Sequence, residues 1–214
     1  MGRGRLISFE GLDGSGKTTQ LDMLERWLST QHISYIRTRE PGGTPLGVEI
    51  RQLLLNRPEL AITPLAETFL FQADRAQHFA QLILPALARG TLVITDRCFD
   101  SSIAYQGVGR GVGATLVEQL SLLATQGYQP DLTILFDLDP VQARVRTDVA
   151  QRTDGSGEQQ SRFDVEAEQF HHTVRQAFLD LASNHPTRIK VLDASQSPEV
   201  VHQEIIALVG QLVL

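Results

Sequence analysis

The chain has 214 residues, 42% hydrophobic and 21% charged, an ordinary composition for a folded domain with a sizeable core and unlike a collagen-like or disordered chain. Lys and Arg number 19 against 25 Asp and Glu, a net charge of −6, so the overall balance does not draw in a polyanion and no nucleic-acid partner is expected. Cys98 is the lone cysteine, which excludes an internal disulfide and multi-cysteine zinc sites. No apolar run reaches the length of a signal peptide or a membrane span, so a cytoplasmic protein without a membrane partner is expected.

In chain order, residues 6–9 read as a short buried strand that runs into a glycine-rich turn. Residues 20–28 carry Leu21, Leu24 and Leu28 at helical spacing. A second strand is expected at 33–38, then helices at 48–55 and 64–88, with Pro85 starting a new helix. Residues 91–95 form a fully buried strand, 115–124 a helix, and 132–138 (LTILFDL) the clearest strand. A helix at 141–149 precedes the polar stretch 151–161, QRTDGSGEQQS. A helix at 166–182, a strand at 189–192 and a last helix from Pro198 complete the chain. This alternation predicts an α/β fold with a mostly parallel sheet in a single domain, 1–214, with residues about 150–162 as a projecting mobile lid.

The segment Gly11-Leu12-Asp13-Gly14-Ser15-Gly16-Lys17-Thr18 fits the phosphate-loop pattern G-x-x-x-x-G-K-[ST] at every fixed place, between a predicted strand and a predicted helix. Small residues let a phosphate approach successive main-chain N–H groups, and the helix N-terminus adds unpaired donors and a favourable dipole. Lys17 adds a point charge, the Thr18 hydroxyl suits Mg²⁺, and Thr19 continues the ATP-binding set. Lys17 and Lys190 are the only lysines, and Gly16 and Ile189 precede them where Asn would have to stand, so the guanine-reading N-K-x-D pattern cannot exist here.

Three further segments suit a second ligand. Arg39-Glu40-Pro41-Gly42-Gly43-Thr44 follows the second strand, and Phe71 and Arg75 stand four apart on one helix face. Asp96-Arg97 ends the third strand and leads into Asp100-Ser101-Ser102-Ile103-Ala104-Tyr105-Gln106-Gly107. Taken singly, Phe71 and Arg75 read rather as a core aromatic and a surface charge; within the set of segments the ligand-binding reading takes precedence. Ligands of open parallel sheets bind beyond the carboxyl ends of the strands, so these segments are expected to converge with the phosphate loop.

Together the segments resemble the thymidylate kinase family, through FEGLDGSGKTTQ, TREPGGT, DRCFDSSIAYQG, QPDLTILFDL and RFDVEAEQF along nearly the whole chain. The resemblance implies a P-loop NTPase-type parallel five-stranded sheet flanked by helices, a helical lid, Mg²⁺ dependence, ATP and dTMP as substrates, and a homodimer. It implies that Phe71 stacks on thymine, Arg75 hydrogen-bonds its exocyclic oxygen, Ser102 and Gln106 contact the base, and Tyr105 packs on the deoxyribose. Arg97 and Arg39, beside Glu40, would hold the acceptor phosphate; Arg51 either joins them or is a solvated helix face. Asp13 would act near metal and acceptor phosphate. Thr18, Asp96 and Glu166 form the expected metal set, with Asp96 alternatively a cap and Glu166 alternatively an ordinary helix-start charge.

The loop interior, Leu12 to Ser15, holds no arginine, which resembles the pattern of the family in which the lid supplies the catalytic arginines. Arg152 and Arg162 are the candidates, beside Lys17, Asp13 and Arg97; Arg144 and Arg146 are alternatives that instead serve the adenine side. The expected reaction is direct in-line transfer from ATP–Mg²⁺ to an acceptor phosphate, which is already ionised and needs no strong base. The rival readings are a kinase of another nucleoside monophosphate or of a nucleoside, and a regulatory ATP-binding module; the latter has no use for Phe71 and Arg75.

Overall fold

Residues Leu6–Gly11 form strand β1, and all six are buried. A run without polar alternation is what a parallel strand covered on both faces requires. Its side chains still alternate in direction: Ile7 and Phe9 join one apolar cluster and Leu6 the other. The computed structural model describes residues 3–153, 163 and 166–213, with the main chain alone at 150–153. Strands β1, β2 (Tyr35–Arg39), β3 (Leu92–Asp96), β4 (Leu132–Asp137) and β5 (Ile189–Asp193) make one parallel sheet in the order β2-β3-β1-β4-β5. The expected α/β architecture and its five strands are therefore present.

Helices α1 (Lys17–Thr30), α2 (Pro45–Asn56), α3 (Pro64–His78), α4 (Leu84–Ala88), α5 (Phe99–Ser102), α6 (Ala114–Ala124), α7 (Pro140–Thr153), α8 (Glu168–Asn184) and α9 (Pro198–Val213) flank the sheet. The larger cluster places Leu21, Leu24 and Leu28 of α1 with Val174 and Phe178 of α8 and Ile205 of α9. The smaller one gathers Phe79, Leu87, Phe99 and Val117 around Leu6 and Val93.

Four differences from the sequence reading have physical causes. Helix α1 starts at Lys17 and not near residue 20, because its first turn belongs to the glycine loop and carries no apolar stripe. The run expected at 64–88 is continuous through a π-helical turn, Phe79–Ile83, where the Leu84 N–H reaches Phe79 O; Pro85, which lacks a donor, sits at the start of α4. Residues 99–109, not recognised as helical, form α5 and a second π-helical stretch, Ile103–Gly109. Every residue from 98 to 107 is buried, so no amphipathic period exists to be read. The main chain of α7 continues to Thr153, past the expected end at 149.

Candidate active site

The register aligns Phe9 of β1 with Asp96 of β3, and Asp96 with Arg39 of β2. The three segments that follow these strands therefore emerge side by side at the carboxyl edge of the sheet, where they line one cavity of about 1760 Å³. Asp13, Gly14, Ser15, Gly16, Lys17, Thr18 and Thr19 line it on one side. Arg39, Glu40, Arg51, Phe71, Arg75, Asp96, Arg97, Ser102, Tyr105 and Gln106 line the rest of the predicted site.

The phosphate loop is fixed by close approach. Gly14 has φ +79°, and a Cβ there would meet the Ala143 carbonyl oxygen of α7 at 2.1 Å, so only glycine fits. No side chain caps α1, which leaves its first-turn N–H groups free of that competition. Gly11 and Leu12 do not line the cavity; their carbonyls accept from Lys17 Nζ at 3.2 and 2.9 Å. Lys17 is 6% exposed, and burial together with the Arg97 charge lowers its pKa against the pull of Asp13, Asp96 and Glu10.

Arg97 takes the left-handed conformation, φ +64°, and its N–H bonds the Phe9 carbonyl at 2.9 Å. Its guanidinium donates to Asp13 at 2.8 Å, Ser101 Oγ at 3.0 Å and the Tyr105 hydroxyl at 3.3 Å, and lies 5.0 Å from the Tyr105 ring centroid. Partial desolvation opposes ionisation of Asp13, about half of which stays exposed, but Arg97 and Lys17 overcome it and hold the carboxyl well below its ordinary range. Behind Arg97, Ser101 Oγ donates to buried Glu10 at 2.5 Å, and the Cys98 N–H donates to the other Glu10 oxygen at 2.8 Å. Burial, reinforced by Asp100, raises Glu10 to about 7.

At the other end, Arg75 of α3 is 1% exposed. It donates to Glu40, Gln72, Ser102, Ser121 and the Cys98 carbonyl. Three of these bonds, to Gln72, Ser102 and Ser121, are made by Nη1. Glu40 also accepts from or shares a proton with His78 Nδ1 at 3.0 Å, and His78 Nε2 lies 2.7 Å from Thr38 Oγ1. Burial opposes the Glu40 charge, yet Arg75 and His78 lower its pKa overall. Asp74 accepts from the Gly42 N–H at 3.0 Å; burial and then Glu40 raise it to about 6. Gly43 approaches so closely that a Cβ would lie 2.3 Å from His78 Nε2. Gln106 donates to buried Glu67 at 2.8 Å, and the Tyr105 ring meets the Phe163 ring edge-on at 5.8 Å.

Not every predicted residue joins. Glu166 does not line the cavity; it pairs with Arg110 at 2.6 Å, so it is not brought to Thr18 and Asp96. Arg162 and the side chain of Arg152 lie outside the described residues, as does the lid segment beyond Thr153. Arg146 lines the cavity and donates to the Ala194 carbonyl at 2.9 Å, whereas Arg144 does not line it. Arg51 faces the cavity and bonds the Pro41 carbonyl at 3.1 Å. Sequence reasoning assigned no role to Glu10, Glu67, Asp74, His78, Ser121 or Phe163. Glu10 and Phe163 stand inside the quoted motifs FEGLDGSGKTTQ and RFDVEAEQF, which was a usable signal; the others are joined to the site only by the fold.

Among the described residues no three His, Cys, Asp or Glu side chains cluster as a metal cage. Mg²⁺ shared with nucleotide phosphates needs only one or two protein oxygens. Asp96 Oδ1 is buried without a hydrogen-bond partner, and Thr18 lines the same cavity, so these two fit such an ion.

A family model described as thymidylate kinase matches residues 9–205. The thymidylate kinase of Leifsonia xyli subsp. xyli is 49% identical over 202 residues, covering 94% of this chain and 92% of that protein. That of Solidesulfovibrio magneticus is 43% identical over 206 residues, covering 96% and 99%. The crystal structure of thymidylate kinase from Ehrlichia chaffeensis superposes with a TM-score of 0.77 at 33% identity, covering 97% of this chain and 99% of that one. With the glycine loop, Arg97 and the Phe71–Arg75 helix lining one cavity, the chain belongs to the thymidylate kinase family.

Proposed function

We propose that this protein transfers the γ-phosphoryl group of ATP to dTMP, giving dTDP and ADP. The observation that carries the reading is the placement of Arg97, whose guanidinium touches Asp13 of the phosphate loop on one side and Tyr105 of the other pocket on the other. A cation at that junction faces both the phosphoryl group in transit and the acceptor phosphate. The two anions repel, and Lys17, the loop N–H groups and Arg97 offset that repulsion with charges already in place. Arg39 and Arg51 steady the acceptor phosphate, Phe71 stacks on the base, and Ser102 and Gln106 present polar atoms to it. Tyr105 packs where a ribose 2′-hydroxyl would fall, which favours a deoxynucleotide. Arg146, at the far end, lies along the adenine side of ATP.

Thr18 and Asp96 would hold Mg²⁺, which when bound neutralises charge on the donor phosphates. Asp13, held ionised by Arg97 and Lys17, orients both cations toward the transfer path. The enzyme works in the cytoplasm as a homodimer. Three adjacent helices support the dimer by leaving apolar side chains exposed: Leu46 of α2, Leu65 and Phe69 of α3, and Leu116 and Leu123 of α6. Among the described residues no helix is long and apolar enough to cross a membrane.

The test mixes the protein with ATP, Mg²⁺ and each nucleoside monophosphate in turn and follows ADP release. ADP release that is strongest with dTMP is expected. Equal or greater release with another monophosphate, or release with no acceptor, overturns the reading.

A further inference from the structure

We infer that Arg110 is a positioning residue that shapes the base end of the acceptor pocket, although it does not line the cavity itself. The inference rests on the reading of that end as the acceptor base pocket. Arg110 directly follows the π-helical stretch Ile103–Gly109, and its own N–H bonds the Tyr105 carbonyl at 2.8 Å. Its guanidinium lies 3.4 Å from Glu67 of α3, a carboxylate that is 1% exposed, and 2.6 Å from Glu166. Its face lies 5.2 Å from the Phe163 ring centroid and 4.8 Å from that of Phe170.

Two of these contacts, with Glu67 and with Phe163, lead to a pocket wall. Glu67 accepts from Gln106, whose amide lines the cavity, so the Arg110 charge stabilises the carboxylate that fixes the Gln106 amide. Phe163 also lines the cavity, between Tyr105 at 5.8 Å and Phe71 at 6.2 Å. Phe163 comes from a part of the chain far from α3, and Arg110 holds it there through its ring face while Glu166, three residues on, pairs with Arg110 Nη1. A planar cation suits this post: it stacks on two rings and pairs with carboxylates at its edge together, which an ammonium cannot do. Two walls of the pocket, one polar and one aromatic, thus share one anchor.

The test is steady-state kinetics on Arg110→Met, which keeps much of the side-chain bulk. Wild-type activity with dTMP is established first, so that failure of the functional reading shows itself before any variant is made. The expected result is a KM for dTMP raised about ten- to a hundredfold, with the KM for ATP and kcat changed no more than about twofold, as displacement of substrate-positioning groups predicts. Arg110→Lys is expected to fall between the two, because it restores charge without the planar stack. Removing Arg110 strands the buried Glu67 charge, so Arg110→Met alone can lose stability. The double variant Glu67→Gln/Arg110→Met lacks that charge and is expected to regain stability while the dTMP KM stays high. An unchanged dTMP KM in the soluble double variant, or equal rises in both KM values, overturns the inference.

Discussion

At the phosphate end of the cavity, residues 11–18 act in unbroken succession: glycine turns, main-chain donors, a lysine folded back on its own loop and a helix start. At the base end, side chains from the segment after β2 and from α3, α5, the second π-helical stretch and α6 are joined by buried charge, with Glu40, Arg75 and Glu67 each no more than 3% exposed. The first device depends on local backbone geometry and tolerates solvent. The second depends on charges that have left water and are stable only while each keeps its partner. Loss of one member should therefore damage the base end through stability and the phosphate end through turnover.

The largest effect is expected at Glu40. Glu40→Ala leaves Arg75 buried without its carboxylate and deprives His78 of the same partner. Removal of one side of a buried pair typically costs about 3–5 kcal/mol. Chemical denaturation should show that loss, and a variant within about 1 kcal/mol of the parent would show that the base end is not held by charge. Arg97→Ala, at the junction of the two ends, is expected to lower kcat/KM by about 2–4 kcal/mol, the usual value of a preorganised charge donor. Its fold should be little affected, because Asp13, its principal partner, is 49% exposed and can turn to water. Near-normal kcat/KM in a coupled assay would remove Arg97 from the transfer step.

The same division explains what could be read from the amino-acid order. The phosphate loop is contiguous, so its spacing alone announced Lys17 and Thr18, and the strand-ending positions of Arg39 and Arg97 announced their convergence. The fold was legible because parallel strands covered on both faces make apolar runs such as LTILFD. Residues 98–107 were opaque, since uniform burial erases periodicity and a π-helical path has no signature of its own. The pairings of Arg75 with Ser121 and of Glu67 with Gln106 span 46 and 39 residues, and nothing local to either partner predicts them. Glu166, to which the resemblance assigned a metal role with an ordinary helix-start charge as the alternative, pairs with Arg110 across 56 residues, a contact that nothing local to either residue predicts.

Glu10 lies between the two regimes, a buried carboxylate that serves the phosphate end. Folding raises its pKa from 4.5 to about 7, so the folded protein keeps a proton that the unfolded chain has released. Stability attributable to Glu10 is therefore lost as pH climbs from about 4.5 to 7, and the loss is complete above that window, amounting to roughly 3 kcal/mol. Glu10→Gln carries no ionisable group there. Its denaturation midpoint should gain on the parent between pH 5 and pH 8, and parallel pH curves for the two proteins would show that Glu10 stays ionised in both states.

The smallest effect is expected where charge stays in contact with water. Arg37 of β2 lies 2.5 Å from Asp22 and 2.7 Å from Glu25, closer than Arg75 lies to Glu40 at 2.8 Å. Distance alone would rank the Arg37 cluster as the stronger. Exposure reverses the order, because Arg37 and Glu25 are each 29% exposed and Asp22 is 50% exposed, so solvent and salt screen the attraction. Arg37→Ala should cost less than about 1 kcal/mol, and less still at high ionic strength. A loss approaching that of Glu40→Ala in matched denaturation experiments would mean that proximity and not desolvation sets the worth of these pairs, and the contrast between the two ends of the cavity would lose its physical basis.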